Sequence, residues 1–112
     1  MFDVDVVQLD GNAAVILRGE LDMATAPRLE RSAAQVAAQL PPKAELVFDL
    51  GQLEFIDASG LAVIARLGEE LSRRGGGVRV ESARSLTYRI FELTGLGGLL
   101  RRPAVAEPNG DR

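Results

Sequence analysis

Residues 45–65 read Glu45-Leu46-Val47-Phe48-Asp49-Leu50, then, after a short polar link, Phe55-Ile56-Asp57-Ala58-Ser59-Gly60-Leu61, then Ala62-Val63-Ile64-Ala65. The first segment is a compact apolar run of the kind buried on both faces of a parallel sheet. From Ser59 to Arg74 the spacing predicts a helix, with Leu61, Ile64, Ala65, Gly68 and Leu71 as its inward stripe. Gly75-Gly76-Gly77 stops it. A strand, a turn carrying an acid and a hydroxyl, and then a helix make half of an α/β unit. In open sheets of that kind, ligands and partners gather at the strand ends.

Working outward, residues 3–20 predict a β-hairpin: Asp3 to Leu9 and Ala13 to Leu17 flank the turn residues Asp10-Gly11-Asn12. Thr25 is placed to cap a helix that has Pro27 in its first turn. Leu29, Ala33, Val36, Ala37 and Leu40 give that helix one apolar face, and Pro41-Pro42 ends it. Val78 to Val80 predicts a brief strand, and Ser82 a cap for a helix running through Leu93. Gly95, Gly97 and Gly98 break the pattern, and Leu99-Leu100 is a candidate last short strand. Residues 1–102 form one domain on this reading, and 103–112 a loose tail. The order is β-β-α-β-α-β-α, with single helices joining parallel neighbours and a hairpin making the sheet mixed.

Composition narrows the chemistry. With 112 residues and 46% hydrophobic side chains, the chain can bury a core of its own. It has no cysteine and no histidine. That excludes disulfides, thiolate metal sites and every mechanism needing an imidazole. No metal site and no cofactor is expected. A net charge of −3 and a pI near 4.9 argue against nucleic-acid binding. No apolar run is long enough to span a membrane and no secretory leader is evident, so a cytoplasmic location is expected. Composition points away from an enzyme.

Ser59 is the best-placed reactive group. A hydroxyl at a helix start lies among unpaired N–H groups at the positive end of the helix dipole, a setting that suits a phosphate. The plainer alternative is an N-cap alone, contributing roughly 1 kcal/mol, with Asp57 a turn residue. The outer face of the same helix begins with Ala62, Val63 and Arg66 and turns charged at Glu69, Glu70 and Arg73. Its apolar start is either a docking patch or a surface covered by a neighbouring loop. Arg66 either meets an acidic group of a partner or is simply solvated. Asp49 invites comparison with an aspartate phosphoacceptor, but no lysine follows Lys43 and no acidic doublet follows the first strand. The glycine clusters lack the lysine and spacing of a phosphate-cradling loop.

Together, Arg18-Gly19-Glu20-Leu21-Asp22, Phe48-Asp49-Leu50, Phe55-Ile56-Asp57-Ala58-Ser59-Gly60-Leu61 and Leu86 to Leu93 followed by Thr94-Gly95-Leu96 resemble the STAS domain. Within it they resemble the small anti-sigma factor antagonists, over about residues 3–100 and in the family's order. The family often carries a second serine where this chain has Ala58. The resemblance implies a STAS-like mixed sheet packed with helices. It also implies phosphorylation of Ser59 by a partner that is both serine kinase and anti-sigma factor, with a serine phosphatase resetting the switch. The unmodified chain would hold that partner and free the sigma factor. By the same resemblance Asp22 and Asp57 border the phosphorylation site and contact the partner. Gly60, Ala62, Val63 and Arg66 complete the expected partner surface. Two other classes stay open: a regulatory or accessory subunit of a transport system with no phosphorylation cycle, and a nucleotide-binding sensor.

Overall fold

The structure, a computed structural model, describes residues 1–99. Leu100, the expected domain end at residue 102 and the tail at 103–112 lie outside the described residues. In chain order the elements are β1 (Phe2–Leu9), β2 (Asn12–Leu21), α1 (Ala26–Gln39), β3 (Glu45–Ile56), α2 (Ala58–Arg73), β4 (Gly77–Ala83) and α3 (Ser85–Leu93), then a 3-10 turn at Gly97–Leu99. The strands form one sheet in the order β1-β2-β3-β4. β1 is antiparallel to β2, and β2, β3 and β4 run parallel. The expected β-β-α-β-α-β-α order holds, and Leu99 lies in the 3-10 turn rather than in a strand.

Alternation sets the inward face of β2: Ala13, Val15, Leu17 and Leu21 are fully buried, while Ala14, Ile16 and Arg18 between them are half-buried. They join Leu29, Ala33 and Val36 of α1, Leu61, Ile64 and Leu71 of α2, and Phe91 of α3 in a single core. Each large side chain so enclosed contributes about 1.5–3 kcal/mol relative to exposure. Asn12 ties the hairpin to β3, its Oδ1 accepting from Glu45 N at 2.8 Å. The glycine triplet does more than stop α2. Gly75 takes a left-handed φ of 86°, and a Cβ on Gly76 would lie 1.9 Å from the Ala44 carbonyl oxygen.

Four local expectations are corrected. β3 does not end at Leu50 but continues to Ile56, because β2 goes on offering hydrogen-bonding partners up to Leu21. To keep that pairing, β3 takes two irregularities, opposite Ile16/Arg18 and Gly19/Glu20. Thr25 precedes α1 but its side chain makes no cap bond; its hydroxyl instead donates to Glu20 O at 3.0 Å and accepts from Asp22 N at 2.9 Å. Ser82 is not a cap either. It sits in β4 with a positive φ of 61°, absorbing the register shift beside Asp49/Leu50, and Arg84 occupies the N-cap position of α3. The buried arc of α2 is also wider than its own periodicity implied, since Val63 and Leu67 are buried as well.

Candidate functional site

The site grows from the parallel pairing of β2 with β3. Leu21 stands opposite Ile56, so the residue after each strand, Asp22 and Asp57, leaves the sheet at the same end. Adjacent strands lie about 4.8 Å apart, which makes the two turns close neighbours. Asp57 N donates to Leu21 O at 3.1 Å and fastens them together.

Each carboxylate organises its own turn. Asp22 Oδ1 accepts from Ala24 N at 3.0 Å and Thr25 N at 3.1 Å. Asp57 Oδ1 accepts from Ser59 N at 2.9 Å and Gly60 N at 3.3 Å. Asp57, with extended backbone, is therefore the N-cap of α2, and Ser59 lies inside its first turn. This corrects the placement of Ser59 as the cap. Asp57 supplies the cap because a carboxylate on the last extended residue reaches the N–H groups two and three positions ahead. Replacing it with alanine leaves both donors without that acceptor. Asp57→Ala is expected to cost about 1 kcal/mol, within the range 0.5–2, while Asp57→Asn retains most of the cap. Urea unfolding of the two variants beside the unaltered protein checks this, and equal losses would show that the bond matters little.

With the cap role taken, the hydroxyl of Ser59 has no hydrogen-bonding partner among the described residues. It is only partly buried. Ala58 beside it is exposed and Ala62, one turn on, is half-buried.

Two of the other residues assigned to a partner surface, Val63 and Gly60, do not form an open one. Val63 is 3% exposed and packed into the core between α1 and α2, because α1 covers that flank of α2. Gly60 is buried. A Cβ there would lie 2.5 Å from Leu21 Cγ and 2.7 Å from its Cδ2, so glycine lets α2 approach β2 closely. Arg66 is exposed and pairs with Glu30 of α1, Nη2 to Oε2 at 3.1 Å. A surface pair of this kind contributes little. Asp49 uses its Oδ1 to accept from Gly51 N at 3.0 Å and belongs to a strand irregularity. Sequence reasoning also passed over two exposed apolar residues at this end, Met23 and Phe55. Both occupy turn or bulge positions, where periodicity carries no signal.

No group of three or more His, Cys, Asp or Glu side chains among the described residues is placed to hold a metal ion. No helix among them is long and apolar enough to cross a membrane.

A mixed sheet packed with helices, with two turn-forming aspartates at neighbouring strand ends and Ser59 in the first turn of α2, makes a small α/β domain. The chain belongs to the STAS domain family, whose model matches residues 3–106. It is 29% identical over 105 residues to the anti-sigma-B factor antagonist of Bacillus subtilis, covering 94% of each chain. The crystal structure of an anti-sigma factor antagonist from Mycobacterium paratuberculosis matches it with a TM-score of 0.81 at 34% identity, covering 95% of this chain and 90% of that one. At 16% identity the fold alone is shared with the Bacillus cell fate determinant SpoIIAA in its phosphorylated form, with a TM-score of 0.72 and coverage of 95% and 96%. The first two names are those of regulators, not of enzymes.

Proposed function

We propose that this chain is an anti-sigma factor antagonist switched by phosphorylation at Ser59. Unmodified, it binds a serine-kinase anti-sigma factor and so releases the sigma factor; phosphorylated, it lets go, and a serine phosphatase restores it. The observation that carries the reading is the Ser59 hydroxyl in the first turn of α2, partly exposed and without a hydrogen-bonding partner among the described residues. A hydroxyl already committed to capping would have to leave its bond before it could accept a phosphoryl group. Here Asp57 supplies the cap, and the hydroxyl is available. The antagonist names of relatives covering nearly the whole chain favour sigma control over a transport-accessory role. A fold-mate is also known in a phosphorylated form.

The test is labelling by a purified serine-kinase anti-sigma factor with radioactive ATP. One phosphate per chain is expected on the unaltered protein and none on Ser59→Ala, which should still bind the kinase. Stoichiometric labelling of Ser59→Ala would refute the assignment.

A further inference from the structure

Two large apolar side chains stand in solvent at the end of the sheet where β3 leads into α2 and Ser59. Met23, in the turn after β2, is 77% exposed, and Phe55, the penultimate residue of β3, is 49% exposed. Phe55 pairs with Glu20 and is followed by the Leu21–Ile56 pair and the two aspartates. The second irregularity of β3 sets its direction. Leu53 and Ile56 are buried while Glu54 and Phe55 between them are both exposed, so the bulge turns the ring outward. Bulges beside functional sites commonly re-aim a side chain in this way. Ala24 and Ala58, in the segments that follow the two strands, are also exposed. Aromatic residues and methionine are the types enriched at the buried centres of interfaces, methionine because it adapts its shape.

We propose that Met23 and Phe55 are the apolar anchors by which the kinase acting on Ser59 holds this chain. The inference rests on the phosphorylation reading above and names the surface it uses. Phosphoryl transfer demands that the donor be brought in line with the serine oxygen, so the kinase surface must close over the first turn of α2. An interface of ordinary size covers about 800 Å² on each side. Met23 lies one residue from Asp22 and Phe55 two from Asp57, and the two strand ends are joined by the Leu21–Ile56 pair and by Asp57 N donating to Leu21 O. Both side chains are therefore within the reach of an interface of that size centred on Ser59. Glu20 pairs with Phe55, Glu54 precedes it in the bulge, and Asp22 and Asp57 follow the two strand ends. Glu20 and Glu54 are exposed and the aspartates half-buried, which specifies a partner with an apolar recess and a basic rim. Two copies of this chain would set like charges against each other.

The experiment uses a purified serine-kinase anti-sigma factor that labels the unaltered chain with ATP, together with Met23→Ser, Phe55→Ser and, as control, Leu93→Ser, which alters an equally exposed residue at the far end of α3 (77%). Unchanged urea midpoints establish that the variants fold. Phe55→Ser is expected to raise Kd and the KM for phosphorylation at least tenfold, and Met23→Ser several-fold. The kcat at saturation should be unchanged, and Leu93→Ser should behave like the unaltered chain. If both site variants bind and react like the unaltered chain while Ser59→Ala stays unlabelled, the anchors fall and the switch stands. If the label lies elsewhere than Ser59, the switch and the anchors fall together. A self-associated chain dissociated by Phe55→Ser, with kinase affinity untouched, would assign the patch to a second copy and overturn the proposal.

Discussion

Phosphorylated at Ser59, the chain is expected to bind its anti-sigma factor at least a hundredfold more weakly than the unmodified protein does. The modification adds close to two negative charges and three strong acceptors to a position where an interface would otherwise close over a neutral hydroxyl. The structure adds a reason specific to this site. The N–H groups of Ser59 and Gly60, the natural anion holders at this helix end, already bind Asp57 Oδ1. A phosphate must therefore either displace that carboxylate or sit beside it. For charges of −1 and −2 about 6 Å apart, the repulsion is about 5 kcal/mol at an effective dielectric near 20. Solvent removes part of this, but each 1.4 kcal/mol retained is a factor of about ten. Two such factors suffice, and no large conformational change is needed.

A double-mutant cycle isolates the term. Ser59→Glu carries one charge rather than nearly two, so its loss of affinity should be about tenfold. Introduced alongside Asp57→Asn, which keeps an acceptor at the cap and removes the charge, the same change should cost only about two- to threefold. The difference should shrink as salt is raised from low to physiological strength, because exposed charges are screened over about 8–10 Å. Calorimetric titration of the kinase with the four proteins provides the numbers. Equal affinity of the unaltered and Ser59→Glu chains, or a loss indifferent to both Asp57→Asn and salt, would remove the charge-repulsion account.

The elements whose signals are local were legible in the sequence. β1 alternates loosely and β2 carries an apolar run, the hairpin turn between them falls at Asp10-Gly11, and α1 carries an apolar stripe that two prolines terminate. What could not be read depends on neighbours. The end of β3 buries Leu50, Leu53 and Ile56, every third residue, because two bulges interrupt the period of two. A pattern of that kind reads as a loop. Asp57-Ala58-Ser59 contains two good capping residues, and only the backbone decides between them: the extended conformation at Asp57 makes its carboxylate the acceptor. Val63 seemed to belong to an outer face because a wheel drawn for α2 alone omits α1. Asp57 and Ser59 were thus both singled out by sequence, while which of them caps α2, and the exposure of Met23 and Phe55, required the structure.

Gly60→Ala is expected to destabilise the protein by about 1–3 kcal/mol, the usual cost of overpacking a filled core. Glycine in a helix is ordinarily a weakness, and alanine there gains up to about 1 kcal/mol by propensity. Sterics outweigh it at this position. The new methyl would stand 2.5 Å from Leu21 Cγ and 3.1 Å from Ile56 Cγ1. Leu21 is fully buried and Ile56 nearly so, so neither has space to yield. In a domain of this size each kcal/mol shifts the melting temperature by about 4–8 °C, so a fall of about 10 °C should be measurable by calorimetry. Leu21→Ala alone should cost about 2–5 kcal/mol through the cavity it leaves. Combined, the two changes should cost at least about 1 kcal/mol less than their sum, because the methyl of residue 60 enters that cavity. Strict additivity would show that α2 and β2 do not meet as tightly as the geometry requires. The same contact sets the position of Asp57 and Ser59 against Asp22. A Gly60→Ala protein that remains folded should therefore be a poorer kinase substrate with its hydroxyl intact, since the first turn of α2 must move away from β2 to make room.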